Sequence, residues 1–440
     1  MSFRYNAFLL KINILGNSVT SLQSVNGYWY LLIITLGLLI YLVIEAIRHH
    51  YYLKKIPIRI HVNGTRGKSS VTSLIAAGLR GGGISTFAKT TGTLPRMIFP
   101  DGSEKPIFRI GHTNILEQLK VIRTAVKNQA DALVIECMAV HPLLQSLAEL
   151  KLVKSTHGVL TNARPDHLDV MGPTEEDVAL ALAGTMPVKG HYFTTENKYI
   201  NIFKMAAKDR KSVIYHIDPI QVAEITESEI KGFSYAEYKE NLALALAVCK
   251  DLGVNHDKAL KGMWEATPDP GAMSISSIEY KNHFITFANG FAANDPFSTW
   301  QLWHNIVMEY GQDKEVVALV NCRNDRRQRS QQIGEAFVGW RQPHRGLVIG
   351  SSVQIFLKTL VKKGGDLKIW TEGENWNVQE ILDFVISENQ NRSHLVIGIA
   401  NIAGVGLELV DFFNHEAQEK HDRPPNIIDR YRASNRVDIS

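Results

Sequence analysis

Hydrophobic and polar positions divide the chain into stretches of different texture. From Ile12 to Ile44 no side chain is charged, and Tyr28–Ile44 reads YWYLLIITLGLLIYLVI, almost wholly apolar. A run of this length is near the lower limit for crossing a bilayer, and it predicts a helix over about residues 28–47 acting as a membrane anchor. Tyr28, Trp29 and Tyr30 suit one interface. Arg48, Lys54, Lys55 and Arg59 outnumber Arg4 and Lys11 on the other flank, which places the domains that follow in the cytoplasm. The apolar run starts late and no small-x-small site closes it, which argues against a cleaved signal peptide. A buried hydrophobic helix, with Glu45 at its edge, is the competing reading.

Beyond the anchor the texture changes to short apolar runs alternating with helical spacing. Ile56–Val62 alternates and is β-branched, a Gly-containing turn follows, and Ser70–Leu79 has helical spacing. Strand patterns recur at Ala132–Glu136, Gly158–Thr161 and His191–Thr195, with helices expected over Ile115–Lys127 and Ala236–Leu252. This alternation implies a mostly parallel α/β sheet. Thr267-Pro268-Asp269-Pro270-Gly271 is turn-rich and marks a boundary. After it, strands are expected at Phe284–Ala288, Glu315–Val320, Gly346–Ile349, Leu367–Trp370 and His394–Ile399, a second α/β unit. The organisation expected is a lead and anchor over 1–55, a first α/β domain over 56–266, a second over 267–413 and a polar tail over 414–440.

Composition narrows the function classes. At 440 residues, with 45% hydrophobic and 21% charged residues, the chain is long enough for two or three domains. A net charge of +4 without a dense basic cluster argues against nucleic acid. Cys137, Cys249 and Cys322 stand far apart with no C-x-x-C pair, so neither a disulfide framework nor a cysteine zinc site is indicated.

Between the first strand and the first helix of the α/β region stands Val62-Asn63-Gly64-Thr65-Arg66-Gly67-Lys68-Ser69-Ser70. Gly64 and Gly67 allow several N–H groups to face one point, Lys68 adds charge for terminal phosphates, and Ser69 offers a hydroxyl to Mg²⁺. The helix adds its positive end. The strict pattern requires glycine where Val62 stands, so this is a short version of the loop; a plain strand-to-helix turn is the bland alternative. Glu136 ends an apolar strand, where an uncompensated carboxylate is costly, and should meet a cation.

The form N-G-T-R-G-K-S resembles the loop of the Mur ligase superfamily of ATP-dependent amide ligases. The resemblance implies a P-loop Mur-ligase-like central domain followed by a C-terminal Rossmann-like domain, with ATP and Mg²⁺ as nucleotide and metal. It assigns a metal role to Glu136. Thr161-Asn162-Ala163-Arg164-Pro165-Asp166-His167-Leu168-Asp169 is similar to the family's T-N-x-x-x-D-H-L-D signature, which makes His167 a second metal ligand; taken alone, such a histidine is more often structural. Thr91 or Thr93 would complete the site, and the sequence does not decide between them. Asn241 is similar to a family asparagine near the adenine, although the histidine that precedes it in the family is missing. Asn289, Asn294 and Asp295 fall in a loosely matched hinge segment beside the nucleotide. Arg323, in the stretch Asn321–Arg329, corresponds to an arginine that approaches the γ-phosphate, with a solvated basic loop as the alternative. The catalytic set implied is Lys68, Glu136, His167 and Arg323, and Asn63 through Ser70 with Asn162 would bind nucleotide.

One departure stands out. The family places a carbamylated lysine about fourteen residues after the signature histidine, where this chain has Ala179–Ala183, and Lys189 is the nearest lysine. An anchor followed directly by the ATPase domain resembles the ligase subunits of poly-γ-glutamate synthases. Their motifs are matched at Ala88–Thr93, Glu136–Val140, Asp166–Thr174, Pro268–Met273 and Asn289–Asp295. That resemblance implies glutamate and a growing poly-γ-glutamate chain as substrates, small integral membrane subunits as partners, and leaves a homo-oligomer open. Another Mur-type amino-acid ligase is the alternative within the superfamily; a membrane-attached P-loop phosphotransferase or ATPase, and a non-catalytic nucleotide-binding scaffold, are the rival classes.

Overall fold

A computed structural model describes residues 2–92, 94–107, 114–233, 235, 237–268, 273–291, 293, 295–387 and 392–418, with side chains between residues 28 and 416. The chain divides into two compact units after Lys55. The first is one helix, α1 (Ser2–Lys55), longer than the expected span. Its part Tyr28–Lys55 is long and apolar enough to cross a membrane.

The second unit carries two sheets. The first has eight strands in the order β4 (Glu104–Pro106), β3 (Arg96–Ile98), β2 (Thr86–Thr90), β5 (Ala132–Glu136), β1 (Ile58–Asn63), β6 (His157–Leu160), β7 (His191–Thr194) and β8 (Val213–His216). Neighbours run parallel except in the pairs β2–β3 and β3–β4. β5 is buried at all five positions, as a parallel strand covered on both faces should be. Helix α2 (Lys68–Gly81) lies against this sheet with nine successive buried residues, Val71–Leu79. It shares a core with Ile60, Val62, Val134 and Leu242. A helix buried around its circumference is held by packing rather than by its caps, and Leu74→Ala would cost about 2–5 kcal/mol. Helix α3 (Glu117–Lys127) starts two residues later than its expected position.

The second sheet has six strands in the order β13 (Trp370–Glu374), β12 (Arg345–Gly350), β11 (Glu315–Cys322), β14 (Ser393–Ala400), β10 (His283–Asn289) and β9 (Ile275–Tyr280). Only β9 runs antiparallel to its neighbour. Two cores cover its faces, one around Trp303, Phe337 and Phe356, the other around Phe287, Phe291 and Phe413. The strand expected over Leu367–Trp370 is displaced. The Asp366 side chain accepts from Lys368 N–H and caps a single 3₁₀ turn at Leu367–Ile369, so the strand begins only at Trp370. At the other end, helix Val405–Gln418 runs past the expected start of the tail at residue 414.

In each sheet the parallel strands share one direction, so their carboxyl ends lie along one edge. The loop after β1, Glu136 of β5 and Thr161 after β6 therefore converge by topology, at the edge where open α/β sheets bind ligands.

Candidate active site

The loop after β1 is shaped by contacts that only glycine permits at two positions. Gly64 has φ +136°, and a Cβ there would stand 2.0 Å from Thr161 Oγ1. Gly67 has φ +81°, and its Cβ would meet Asn241 Oδ1 at 2.8 Å. Both close approaches come from chain segments remote in sequence. Asn162 then clamps the loop: its Oδ1 accepts from Thr65 Oγ1 at 2.6 Å and Arg66 N–H at 3.1 Å, and its Nδ2 donates to Arg66 O at 3.2 Å. Thr161 Oγ1 donates to Arg66 O as well, at 2.5 Å. Asn162 thus serves the shape of the loop. Asn63 is similarly occupied, its buried amide donating to Gln145 Oε1 at 2.8 Å and Thr185 Oγ1 at 3.2 Å. Lys68 Nζ donates to Gly64 O at 2.6 Å and Thr65 O at 3.3 Å, which holds the ammonium over the loop. Ser70 lies half-buried in the first turn of α2.

Beside the loop, Glu136 is 2% exposed. Its Oε2 accepts from Ser69 Oγ at 2.8 Å and from Thr91 N–H at 2.6 Å. A hydroxyl and a buried carboxylate oxygen this close are the hard oxygen donors that Mg²⁺ and its congeners take, so these two residues fit a divalent cation. Thr91 meets the group through its backbone; Thr93 lies outside the described residues. His167 is exposed, in a left-handed conformation (φ 47°) at the start of the short helix Leu168–Met171. Among the described residues no hydrogen bond or ion pair joins it to Ser69 or Glu136.

Lys189 resolves one question left by the sequence. It sits two residues before β7, at the amino edge of the sheet, where its N–H donates to Arg210 O. Five residues of extended chain separate it from the carboxyl end of β7, about 16 Å, so it does not take the place of the family lysine. Ala179 and Ala181 pack instead into the core with Val178, Leu182 and Met186.

The second sheet brings charge to the loop. The Arg66 guanidinium lies 3.2 Å from Asp295 Oδ2 and 3.6 Å from Asp166 Oδ2. Asp295 caps helix Pro296–Tyr310 by accepting from Ser298 N–H. Burial works to raise the Asp295 pKa, but Ser298 and Arg66 outweigh it and hold the carboxyl below its usual range. Arg323, just past β11, is over one-third exposed and paired through Nε and Nη2 with Asp325. Arg329, on helix Arg327–Phe337, is deeper: burial first, then Arg326 and Arg66, hold its pKa down to about 10, with Asp166 pulling the other way. It donates to Asn401 Oδ1 at 3.1 Å. Arg329 was not singled out in the sequence, where it stands in the same basic run as Arg323; folding separates them, with Arg323 before the 3₁₀ turn Asn324–Arg326 and Arg329 on the helix that follows. Asn241, on helix Lys239–Asp251, donates to Glu237 Oε1 at 2.8 Å while its Oδ1 abuts Gly67. Asn289 is buried at the end of β10, and Asn294 lies outside the described residues.

Residues 275–416 match the family described as the poly-gamma-glutamate synthase CapB C-terminal domain, and residues 62–186 match the Mur ligase middle domain. The capsule biosynthesis protein CapB of Bacillus anthracis is 36% identical over 388 residues, covering 87% of this chain and 82% of the relative. The PGA synthase CapB of Bacillus subtilis (strain 168) is 35% identical over 386 residues, covering 87% of this chain and 97% of the relative. Among solved structures, E. coli FolC in complex with ADP superposes with a TM-score of 0.64 at 15% identity, covering 84% of this chain and 92% of that one. That likeness establishes the Mur-ligase-like α/β fold. With identity above one-third sustained along most of both proteins, the chain belongs to the CapB family of poly-γ-glutamate synthases.

Proposed function

We propose that the chain joins glutamate to poly-γ-glutamate in an ATP-dependent amide ligation. Glutamate comes from the family; the observation that carries the chemistry is the convergence of Lys68, Ser69 and Glu136 at the loop after β1. A carboxylate oxygen of the acceptor attacks the γ-phosphorus of ATP, the bond from that phosphorus to the β–γ bridging oxygen breaks, and ADP leaves with an acyl phosphate formed. The amine of the next amino acid attacks the acyl carbon, phosphate departs with the carbonyl-bound oxygen, and the nitrogen loses a proton to give the amide. Lys68 and an arginine from the second sheet, Arg323 or Arg329, spread the charge that builds on the transferring phosphoryl oxygens. Mg²⁺ held by Ser69 and Glu136 would supply further charge neutralisation there, and His167 is proposed to add a second metal ligand.

Helix α1 is proposed to hold the ligase at the cytoplasmic face of the membrane, beside small membrane subunits that extend and export the polymer. Neither a phosphotransferase nor a non-catalytic scaffold accounts for the family match over 275–416. The test is ADP release by the purified protein with and without glutamate. Release that requires glutamate supports the ligase; equal release without it refutes the assignment.

A further inference from the structure

At the amino edge of the first sheet, on the side away from the phosphate loop, three side chains of types that can ligate a metal meet. His157 and His191 open the neighbouring parallel strands β6 and β7 and pair directly in register, with ring centroids 5.3 Å apart. Asp251, the last residue of helix Lys239–Asp251, reaches between them. Its Oδ2 is 3.2 Å from His157 Nε2 and 2.5 Å from His191 Nδ1. One nitrogen or oxygen atom from each residue lies within 4.8 Å of the others. Ligand atoms around tetrahedral zinc, at bonds of about 2.0–2.1 Å, stand roughly 3.3 Å apart. The pair His157–Asp251 already has that separation, and His191–Asp251 needs to open by less than about 1 Å.

The surroundings orient His157 as a ligand. Thr156 Oγ1 accepts from Arg59 N–H at 3.0 Å and lies 3.1 Å from Arg59 O, which takes its hydroxyl hydrogen. His157 Nδ1, 2.8 Å from the same oxygen, then carries a hydrogen and donates it. That leaves Nε2 facing a carboxylate oxygen, two acceptors that either a proton or a metal ion between them reconciles. An outer oxygen partner fixing the far ring nitrogen is the usual support of a metal-bound imidazole. Both histidines also line a cavity of about 580 Å³, which leaves room for a solvent ligand in a fourth position.

We infer that His157, His191 and Asp251 form a binding site for a divalent transition-metal ion of the zinc type, separate from the proposed catalytic metal position. The ion ties the end of helix Lys239–Asp251 to the sheet. Ten residues earlier, about 15 Å along the same helix, Asn241 packs against Gly67 of the phosphate loop. The site is therefore a tether for the helix that backs the loop.

The test uses full-length protein in detergent, stripped of metal and kept in excess Mg²⁺, titrated with Zn²⁺ against a chromophoric zinc chelator. Wild type is expected to hold one zinc ion with sub-micromolar affinity, and X-ray absorption to show two imidazole ligands. Asp251→Asn and His191→Gln should each weaken binding by about 100-fold, since loss of one of three protein ligands removes much of the site, and should abolish the zinc-dependent rise in unfolding temperature that wild type shows. His191 is 40% exposed at its side chain, so its variant keeps the comparison valid if Asp251→Asn does not fold. Absence of sub-micromolar zinc in wild type, which would leave a hydrogen-bonded triad only, overturns the inference. Equal zinc affinity in wild type and His191→Gln overturns it too, by locating the ion elsewhere.

Discussion

Asn162→Ala separates shaping of the phosphate loop from contact with the nucleotide. The substitution removes the acceptor shared by Thr65 Oγ1 and Arg66 N–H, and a donor to Arg66 O. A neutral hydrogen bond contributes about 0.5–1.5 kcal/mol net. Arg66 O keeps a second donor in Thr161 Oγ1, so the loss falls mainly on the two accepted bonds, about 2 kcal/mol in all. It is drawn from the population of the loop's anion-binding conformation, and affinity falls with that population. At 1.4 kcal/mol per tenfold, 2 kcal/mol weakens ATP about 30-fold. Lys68, Ser69 and Glu136 are untouched, so turnover at saturating ATP should stay within a few-fold of wild type. Calorimetric titration with a non-hydrolysable ATP analogue gives the first quantity, and ADP release at saturating ATP and glutamate the second. Unchanged affinity, or a collapse of turnover with affinity intact, would refute the shaping role.

Two further outcomes are expected. Glu136→Ala should leave ATP-analogue binding within a few-fold while reducing amide formation at least ~10²-fold, a loss like that of other charge-stabilising groups; retained product formation in saturating Mg²⁺ would remove Glu136 from the metal site. For His61, buried against Glu149 at 2.8 Å, burial acts to lower the pKa, but Cys137 and Glu149 outweigh it and hold it up at about 9. A pKa raised in the folded state stabilises below the unfolded value, about 6.5, and that stabilisation is lost as pH rises through about 9. Urea midpoints should therefore fall from pH 6.5 to 9.5 in wild type by more than in Glu149→Gln, and equal slopes would show that the pair does not titrate in this window.

Most parallel strands at the centre of each sheet were legible because burial on both faces leaves continuous apolar runs: Ala132–Glu136 was read with its observed bounds, whereas Thr86–Thr90, with two threonines and a lysine in five residues, was not. The antiparallel edges were not. Arg96–Ile98, Glu104–Pro106 and Ile275–Tyr280 are short or mixed in polarity, and edge strands need no apolar run. Arg96 in particular reads as a surface residue, yet it is fully buried between Glu104 and the carbonyls of Thr267 and Pro268. At the site, Ser69 and Glu136 announced themselves, one by a local motif and the other by its place at the end of an apolar strand. The work of Asn63 and Asn162 depends on partners such as Gln145, Thr185 and Thr65, which are brought near only by folding. Arg323 and Arg329 look alike within one basic run, and depth alone distinguishes them. The triad of His157, His191 and Asp251 left no mark in sequence because strand register and a helix end assemble it.

Amide formation through an acyl phosphate is tested most directly by oxygen transfer. Glutamate labelled with ¹⁸O in its side-chain carboxylate should deliver one labelled oxygen to the released phosphate for each amide bond formed. Phosphate free of label, with ADP still released and polymer still made, would contradict activation of the carboxylate by ATP at the loop after β1.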